Sequence, residues 1–384
     1  MKVIAEVEIM GKYGIFYRWL LPAIIFQSVF MGGGFTTGRE VMEYAGKYGV
    51  YGIYSVILAT ILFFISAALS YEVARVFKAF DYRTWVKQII WKFWPIFDIA
   101  YVILAIIVIA VVGSAAANIL EDMFGLPYML GAIVIISTVG ILHFYGRKAI
   151  EAFETIGTVI LYIMYIILWA VTLKAAWGNI SEAFSAGLGT GGPGKAAISG
   201  IQYFAYNMVV VPAVLFTLDR LESRKDSIIA GLNSALFVGI AFFLTWLSLL
   251  GFYTNEKVVN APVPWYEIMK IVGATWLRGF YVIAVFWTLI ETGTGMIHSI
   301  VRRIEVQMEE MKGISFTRKQ EALLATLIIV LAILMAKFGI IALVAKGYGT
   351  LAWVFFVILF IPLVTIGVIR ILNPNWMKEF WEKA

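Results

Sequence analysis

Two short stretches that interrupt helices lie inside strongly apolar segments, about half a chain apart. Residues 31–38 read Met-Gly-Gly-Gly-Phe-Thr-Thr-Gly, and residues 206–212 read Tyr-Asn-Met-Val-Val-Val-Pro. In a lipid bilayer every backbone N–H and C=O group needs a partner, so a broken helix is costly unless it lines a cavity. Paired breaks at corresponding places in two halves of a chain are typical of transporters and mark their binding sites.

The composition restricts the chain to one class of protein. It is 62% hydrophobic and only 14% charged, with a mean hydropathy of +0.90, whereas soluble domains carry about 25% charged residues. We therefore expect an all-α polytopic membrane protein whose partners are the lipid bilayer and a small-molecule substrate. The basic residues are not clustered as nucleic-acid binding requires, so no nucleic-acid partner is expected. The sequence leaves the oligomeric state open.

The sequence also lacks the motifs of enzymes. Its two histidines, His143 and His298, form no zinc-binding pair, it has no phosphate-binding loop, and cysteine is absent. These absences exclude disulfides and thiol nucleophiles. We predict that the protein is not an enzyme and that it needs no cofactor other than a coupling ion, either a proton or sodium.

Ten apolar stretches are long enough to cross a bilayer, which takes about 20 residues. They are residues 15–45, 50–78, 93–122, 127–144, 149–175, 196–221, 225–253, 276–305, 318–338 and 347–371. Of the 30 Lys and Arg residues, most fall on the side that holds both termini. By the positive-inside rule we predict a multi-pass protein of the plasma membrane with both termini in the cytoplasm.

A glycine-rich polar stretch, residues 178–194, divides these spans into two sets of five. An odd number of spans reverses the orientation, so the second set starts from the opposite face of the membrane. Together with a broken first helix in each set, this predicts two inverted repeats, residues 1–185 and residues 186–384, within one membrane domain. Residues 261–270, in which two prolines precede helix formers, predict either a short outer helix or a plain connector.

The three consecutive glycines of the first break expose backbone to a ligand. They remove the side chains from most of one helical turn, so the chain can unwind and a solute can approach it closely. Freed N–H groups at the start of the outer half-helix suit a carboxylate. The alternative is that the glycines only let two helices pack closely. The residues predicted to bind substrate here are Gly32, Gly33, Gly34, Phe35, Thr36 and Thr37.

Two charged residues follow this break inside the first span, where charges are rare and usually functional. Arg39 and Glu40 are predicted to gate the central pocket. The alternative places Arg39 at the outer interface, with Glu43 as its partner one helical turn away.

The second break carries polar side chains that are predicted to face the first. Pro212 removes a backbone donor and clashes with the preceding turn, so residues 207–211 are predicted to unwind. Tyr203, Tyr206 and Asn207 are predicted to hydrogen-bond the substrate from this side. The alternative is a simple proline kink, which membrane helices tolerate.

Glu291 lies near the middle of the eighth span, where an unpaired ionised carboxylate costs several kcal/mol. It is predicted to be protonated, paired or bound to a cation. Thr292 and Thr294 supply hydroxyl oxygens that suit a hard cation such as sodium. We therefore predict that Glu291, Thr292 and Thr294 carry the coupling ion, with sodium held at Glu291 and Thr292 if sodium is used. The alternative is a purely structural hydrogen bond.

The residues Gly34-Phe35-Thr36-Thr37-Gly38-Arg39-Glu40 resemble the first-helix motif of YkvI-like membrane proteins. The order of spans is similar to that of leucine-transporter-fold carriers of the amino acid–polyamine–organocation superfamily. The resemblance implies ten helices in a five-plus-five inverted repeat, discontinuous helices 1 and 6, a substrate held between spans one, three, six and eight, and alternating access. It also implies that a sodium site, where present, uses first-helix carbonyls and the positions of Glu291 and Thr292, although a Glu departs from the usual Ser or Thr.

These patterns together predict a secondary active transporter that works by alternating access with proton or sodium coupling. Its expected substrate is a small zwitterionic or cationic solute, with an amino acid as the favoured class. A passive ion or solute channel and a uniporter or exchanger without ion coupling are the alternatives. A channel favours a continuous polar stripe through several spans, whereas this sequence has isolated polar islands.

Overall fold

The computed structural model describes residues 14–144, 147–273, 275–313 and 316–382, with the side chains of 142–158, 310–312 and 382 excepted. These residues form helices and connecting turns, and none of them lies in a strand. The helices are α1 (Phe16–Phe30), α2 (Gly33–Thr36), α3 (Arg39–Tyr44), α4 (Gly52–Phe77), α5 (Tyr82–Ile90), α6 (Trp94–Phe124), α7 (Tyr128–Phe144), α8 (Arg147–Ser185), α9 (Gly192–Asn207), α10 (Arg224–Leu250), α11 (Glu256–Val259), α12 (Pro264–Val272), α13 (Thr275–Lys312), α14 (Arg318–Ala336), α15 (Gly339–Leu372) and α16 (Lys378–Glu382).

Each of the ten predicted spans falls on helical structure, and the all-α prediction is confirmed. Seven of the described helices are long and apolar enough to cross a membrane, and α1 and the 128–141 part of α7 are shorter apolar helices. The sixth predicted span is in neither group; its helix α9 ends after 16 residues, at the second break. The number of ten crossings, and the division into repeats at residue 185, therefore stay predictions.

Among the short helices that lie outside the predicted spans, two cover parts of the bundle, α12 and α5. α12 shows that a short helix, rather than a plain connector, follows the two prolines, and Pro264 occupies its first turn, where the missing N–H costs nothing. α5 was not predicted, because its nine residues are amphipathic rather than apolar. The Asp81 side chain caps α5 by accepting a hydrogen bond of 2.9 Å from the Thr84 N–H. Trp85 and Ile89, on the apolar face of this helix, are fully buried.

α4 packs tightly against both α9 and α10, because glycines lie where these helices cross. A Cβ atom at Gly200 of α9 would lie 2.5 Å from the Ser55 carbonyl oxygen of α4. A Cβ atom at Gly231 of α10 would lie 2.6 Å from the Ala68 backbone nitrogen of the same helix. Small residues let helix backbones approach in this way, and membrane helices gain most of their association energy from such packing.

Two ion pairs mark one end of the bundle, and α12 marks the other. At one end, Arg18 of α1 pairs with Asp226 of α10 at 3.3 Å, and Arg224 pairs with Glu72 of α4 at 3.2 Å. We call this the basic end and the opposite one, covered by α12, the capped end. α13 follows α12 in the chain, so it runs from the capped end to the basic end.

Replacing Gly231 by leucine is expected to destabilise the bundle, because the new side chain has to displace the α4 backbone at Ala68. Overpacking of this kind costs about 1–3 kcal/mol, so we expect a melting temperature several degrees below that of the wild type in detergent. The matched control is Gly279→Leu on α13, where a Cβ atom has no neighbour within 4 Å. Equal melting temperatures for the two variants would show that the contact between α4 and α10 is not tight.

Candidate functional site

The first predicted span is broken at two places. α1 ends at Phe30, Gly32 is extended (φ −62°, ψ −170°), and α2 forms a single turn. Gly38 then takes up a left-handed conformation (φ 79°) from which α3 begins. A side chain at Gly38 is excluded twice, by this backbone conformation and by Trp265, whose Cδ1 atom would lie 2.8 Å from a Cβ. The discontinuity predicted at residues 31–35 is thus present, and a second one follows it.

Threonine hydroxyls satisfy the carbonyls that the breaks set free. The Thr36 hydroxyl donates to the carbonyl oxygens of Met31 at 2.9 Å and Gly32 at 3.0 Å. The Thr37 hydroxyl donates to the Gly34 carbonyl at 2.7 Å. Both threonines are fully buried. The hydroxyls give the Met31 and Gly34 carbonyls a partner and add one to the Gly32 carbonyl, which also accepts the Thr36 N–H at 3.1 Å, so the broken backbone is satisfied in an apolar surrounding.

Neighbouring helices supply the remaining partners of the first break. The Gly33 N–H donates to the Thr292 hydroxyl of α13 at 3.1 Å. The hydroxyls of Tyr165 on α8 and Tyr281 on α13 donate to carbonyl oxygens of the α2 turn, each at 3.1 Å. The conformation of the first break is therefore fixed by α8 and α13 as well as by its own residues.

The second predicted break begins where α9 ends, at Asn207. The chain continues in tighter, 3₁₀-type turns over Met208–Ala213, with Pro212 inside them, and again over Leu215–Arg220. The discontinuity predicted at residues 207–211 is present as a tightened helix rather than as an extended strand. Pro212 accounts for the change, because it cannot donate the hydrogen bond that an α-helix requires at its position.

Both breaks open into one cavity of about 360 Å³. Gly32, Gly33 and Gly34 line it together with Asn207, and the lining continues along α13 to Arg302. The Arg302 side chain is exposed, so the cavity opens at the basic end. The volume lies within the range that small-molecule sites occupy.

A buried carboxylate stands between the two breaks. Glu40, in the first turn of α3, lines the cavity and accepts a hydrogen bond of 2.8 Å from the Tyr206 hydroxyl of α9. Its side chain fills the space beside Gly34, where a Cβ atom would overlap the carboxyl group. Glu40 thus connects the first and second breaks in the wall of the cavity, whereas the sequence predicted that it gates the pocket.

Arg39 closes the opposite side of the site. Its guanidinium donates to the carbonyl oxygens of Val259 at 2.9 Å and Ala261 at 3.1 Å, and it pairs with Glu43 at 3.3 Å. The side chain is only 4% exposed. The ion pair with Glu43 is the one expected if Arg39 were an interfacial anchor. The burial of Arg39 and its hydrogen bonds to the segment before α12, however, show that it covers the cavity at the capped end. Residues 33–42 are all buried.

α13 lines the cavity over its second half. Thr292, Met296, Ser299 and Arg303 lie there at helical spacing, and His298 and Arg302 join them nearer the mouth. Glu291 is one residue away from this stripe, about 100° around the helix, and it does not line the cavity. Of the three residues predicted to carry a coupling ion, Thr292 therefore contacts the first break directly. The Thr294 hydroxyl donates to the Ile290 carbonyl of its own helix at 2.8 Å.

A basic and aromatic cluster lines the mouth of the cavity. Arg303 of α13 pairs with Asp98 of α6 at 2.7 Å. Its guanidinium lies 3.8 Å from the ring centroids of both Tyr82 and Tyr101, a cation–π arrangement. Sequence reasoning missed this cluster, because Arg303 and Asp98 lie near predicted span ends, where charges are ordinary.

The predicted substrate residues divide into two groups. Five of them line the cavity: Gly32, Gly33, Gly34, Tyr206 and Asn207. Four others are buried and do not line it: Phe35, Thr36, Thr37 and Tyr203. Tyr348 of α15, which the sequence did not single out, also lines the cavity and packs on Tyr206 with ring centroids 4.8 Å apart.

We expect a cysteine introduced at Val209, which lines the cavity, to react with a membrane-impermeant thiol reagent from the basic end only. The natural chain has no cysteine, so there is no background. Adding Arg39→Gln should let the reagent enter from the capped end, because it removes the hydrogen bonds to Val259 and Ala261. The matched control is Arg278→Gln, at a half-exposed arginine near the start of α13.

Intact cells and inverted vesicles expose opposite faces and give the measurement. Equal reactivity of the unmodified site from both faces would contradict a cavity closed at the capped end. An Arg39→Gln protein that behaves like the Arg278→Gln control would show that Arg39 does not close the site.

No family model matches this chain. It is similar to an uncharacterized membrane protein, YkvI, of Bacillus subtilis (strain 168), with 20% identity over 290 residues that cover 74% of this chain and 80% of the relative.

Two solved transporters have a similar fold. One is a Na⁺-coupled sialic acid symporter in a substrate-bound outward-open state, with a TM-score of 0.59, 12% identity and coverage of 91% of this chain and 80% of the symporter. The other is Mhp1 in an inward-facing conformation, with a TM-score of 0.51, 15% identity and coverage of 90% of this chain and 75% of Mhp1. Such low identities establish the fold alone: the chain has the leucine-transporter fold, with discontinuous first and sixth segments.

Proposed function

We propose that the protein is a secondary active transporter of a small zwitterionic or cationic solute, with an amino acid as the favoured class. The cavity holds the solute between the two breaks, and alternating access moves it from one membrane face to the other. The basic end faces the cytoplasm of a cell whose plasma membrane holds the protein, in keeping with the excess of Lys and Arg on that side.

The observation that supports this proposal most is the one-sided opening of the cavity. It reaches from both helix breaks to the basic end, while Arg39 and the segment before α12 close the capped end. A site accessible from one face at a time is what alternating access requires. An open channel needs a path through both ends, so the buried residues 33–42 favour a carrier.

Ion coupling is the second part of the proposal. Thr292 places its hydroxyl oxygen against the backbone of the first break, where it accepts from the Gly33 N–H, and hydroxyl and carboxylate oxygens together suit a hard cation such as sodium. Glu291 precedes it and supplies the carboxylate for either sodium or a proton, and Thr294 is the weakest member because its hydroxyl is engaged within α13. This contact joins α13 to α2, so an ion bound at Thr292 is linked mechanically to the first break and the solute cavity.

The proposal is tested by uptake into proteoliposomes of a panel of radiolabelled amino acids, under an inward sodium gradient, an inward proton gradient, or neither. We expect at least one solute to accumulate above its equilibrium level under one of the gradients. Uptake that never exceeds equilibrium would identify a uniporter, exchanger or channel. Absence of uptake across the panel would remove the amino acid class.

Glu291→Gln separates the two coupling ions. If sodium couples, the variant should lose sodium dependence; if a proton couples, exchange should persist while accumulation against a gradient is lost. Thr292→Val should weaken transport in both cases, because it removes the partner of the Gly33 N–H. Its matched control is Thr326→Val on the exposed face of α14, where the hydroxyl only contacts its own helix. A Glu291→Gln protein that concentrates solute as well as the wild type would make Glu291 structural.

A further inference from the structure

We propose that Glu40 binds a protonated amine of the transported solute, so that the substrates of this chain carry an ammonium group. This inference rests on the proposed function and adds a named recognition group to it. It assigns Glu40 to the solute site itself rather than to the gate.

The position of Glu40 supports this role first. Its carboxylate lies in the cavity wall at the point where the two breaks meet, beside Gly34 and within hydrogen-bond distance of Tyr206. The Tyr206 hydroxyl occupies one carboxylate oxygen, Oε2. Among the described residues no hydrogen bond to the other oxygen, Oε1, is formed, and this atom lies beside Gly34 in the cavity wall.

The charge balance supports it next. Glu40 is only 6% exposed, and among the described residues no basic side chain forms an ion pair with it. Arg39, its neighbour in sequence, is turned to Val259, Ala261 and Glu43. A buried carboxylate without a counter-charge is costly, and a solute ammonium would supply both the charge and the hydrogen-bond donors.

Aromatic rings complete the surrounding of this carboxylate. Tyr206 and Tyr348 line the cavity next to it, with Phe30 on the side of α1. Tyr44 packs behind Tyr206 with ring centroids 5.5 Å apart. Ring faces attract cations, and a carboxylate set among aromatic rings is typical of sites that bind organic ammonium groups.

The remaining wall suggests what the rest of the solute is like. Leu104, Ala105 and Val108 of α6 line the cavity on one side, and Val209 and Val210 line it on the other. These side chains suit an apolar substituent. The expected substrate is therefore a primary amine or amino acid with an aliphatic or aromatic side group, rather than a polyol, a sugar acid or a free metal ion.

The test is binding of matched compounds to purified full-length protein, measured by thermal shift and by calorimetry. Each set consists of an apolar amino acid, the amine that lacks its carboxyl group, and the acid that lacks its amino group; leucine, 3-methylbutylamine and 4-methylpentanoate form one such set, and the corresponding phenylalanine compounds form a second. We expect an amine-bearing member of a set to bind and the acid of that set not to bind.

Variants then assign the binding to Glu40. Glu40→Gln keeps the shape and removes the charge, and we expect it to weaken binding of the amine-bearing compound roughly tenfold or more. Glu40→Asp should retain part of the affinity, and Tyr206→Phe should weaken it less than Glu40→Gln. The matched control is Glu182→Gln on the exposed end of α8. Melting temperatures of the ligand-free variants report whether each one is folded.

Three results would overturn the inference. They are binding of the acids as tight as that of the amines, full affinity in a folded Glu40→Gln protein, and binding by none of the amine-bearing compounds. If the Glu40→Gln protein binds solute with full affinity but no longer accumulates it, Glu40 is a proton carrier instead. If a solute without an amine is bound and accumulated, the proposed transport function stands while the role of Glu40 falls; if no solute is accumulated at all, the transport function falls.

Discussion

The first break leaves backbone N–H and C=O groups that must form hydrogen bonds inside the bundle. The side chains that supply these hydrogen bonds determine how the surrounding helices are placed. Thr36 and Thr37 satisfy the carbonyls from within the segment. Thr292, Tyr165 and Tyr281 reach the same segment from α8 and α13. Each unsatisfied group in lipid costs several kcal/mol, so α2, α8 and α13 cannot rearrange independently at this point. The break is consequently a joint between helices as well as the proposed solute site.

The two ends of the bundle differ in the kind of contact that closes them. At the capped end Arg39 donates to backbone carbonyls of the segment before α12, and the backbone N–H of Trp265 in α12 donates to the Thr37 carbonyl at 3.4 Å. At the basic end the cavity remains open beside the cluster of Arg303, Asp98 and two tyrosines. Under the proposed alternating access, the hydrogen bonds and ion pairs at each end have to be exchanged when the protein changes from one state to the other.

The sequence predicted the breaks well, because glycine runs and proline act on the backbone locally. It predicted less about which side chains face the cavity, because the rotation of each helix depends on its neighbours. Gly38 adds a second break that turns α3, and this turn brings Glu40 to the cavity. The same reasoning applies to α13, where Thr292 faces the first break and Thr294 does not. α5 escaped prediction because its apolar residues cover only one face, so a search for apolar spans passes over it.

The central claim is that the two ends open in alternation, and spin-label distances test it most directly. Cysteines at Lys225 and Arg302 place labels at the basic end, and cysteines at Lys195 and Ile271 place them at the capped end; all four positions are exposed. On adding a driving ion and a transported solute, the account predicts that the basic-end distance shortens in a part of the population while the capped-end distance lengthens. Distances that stay unchanged at both ends under every condition that supports uptake would contradict it.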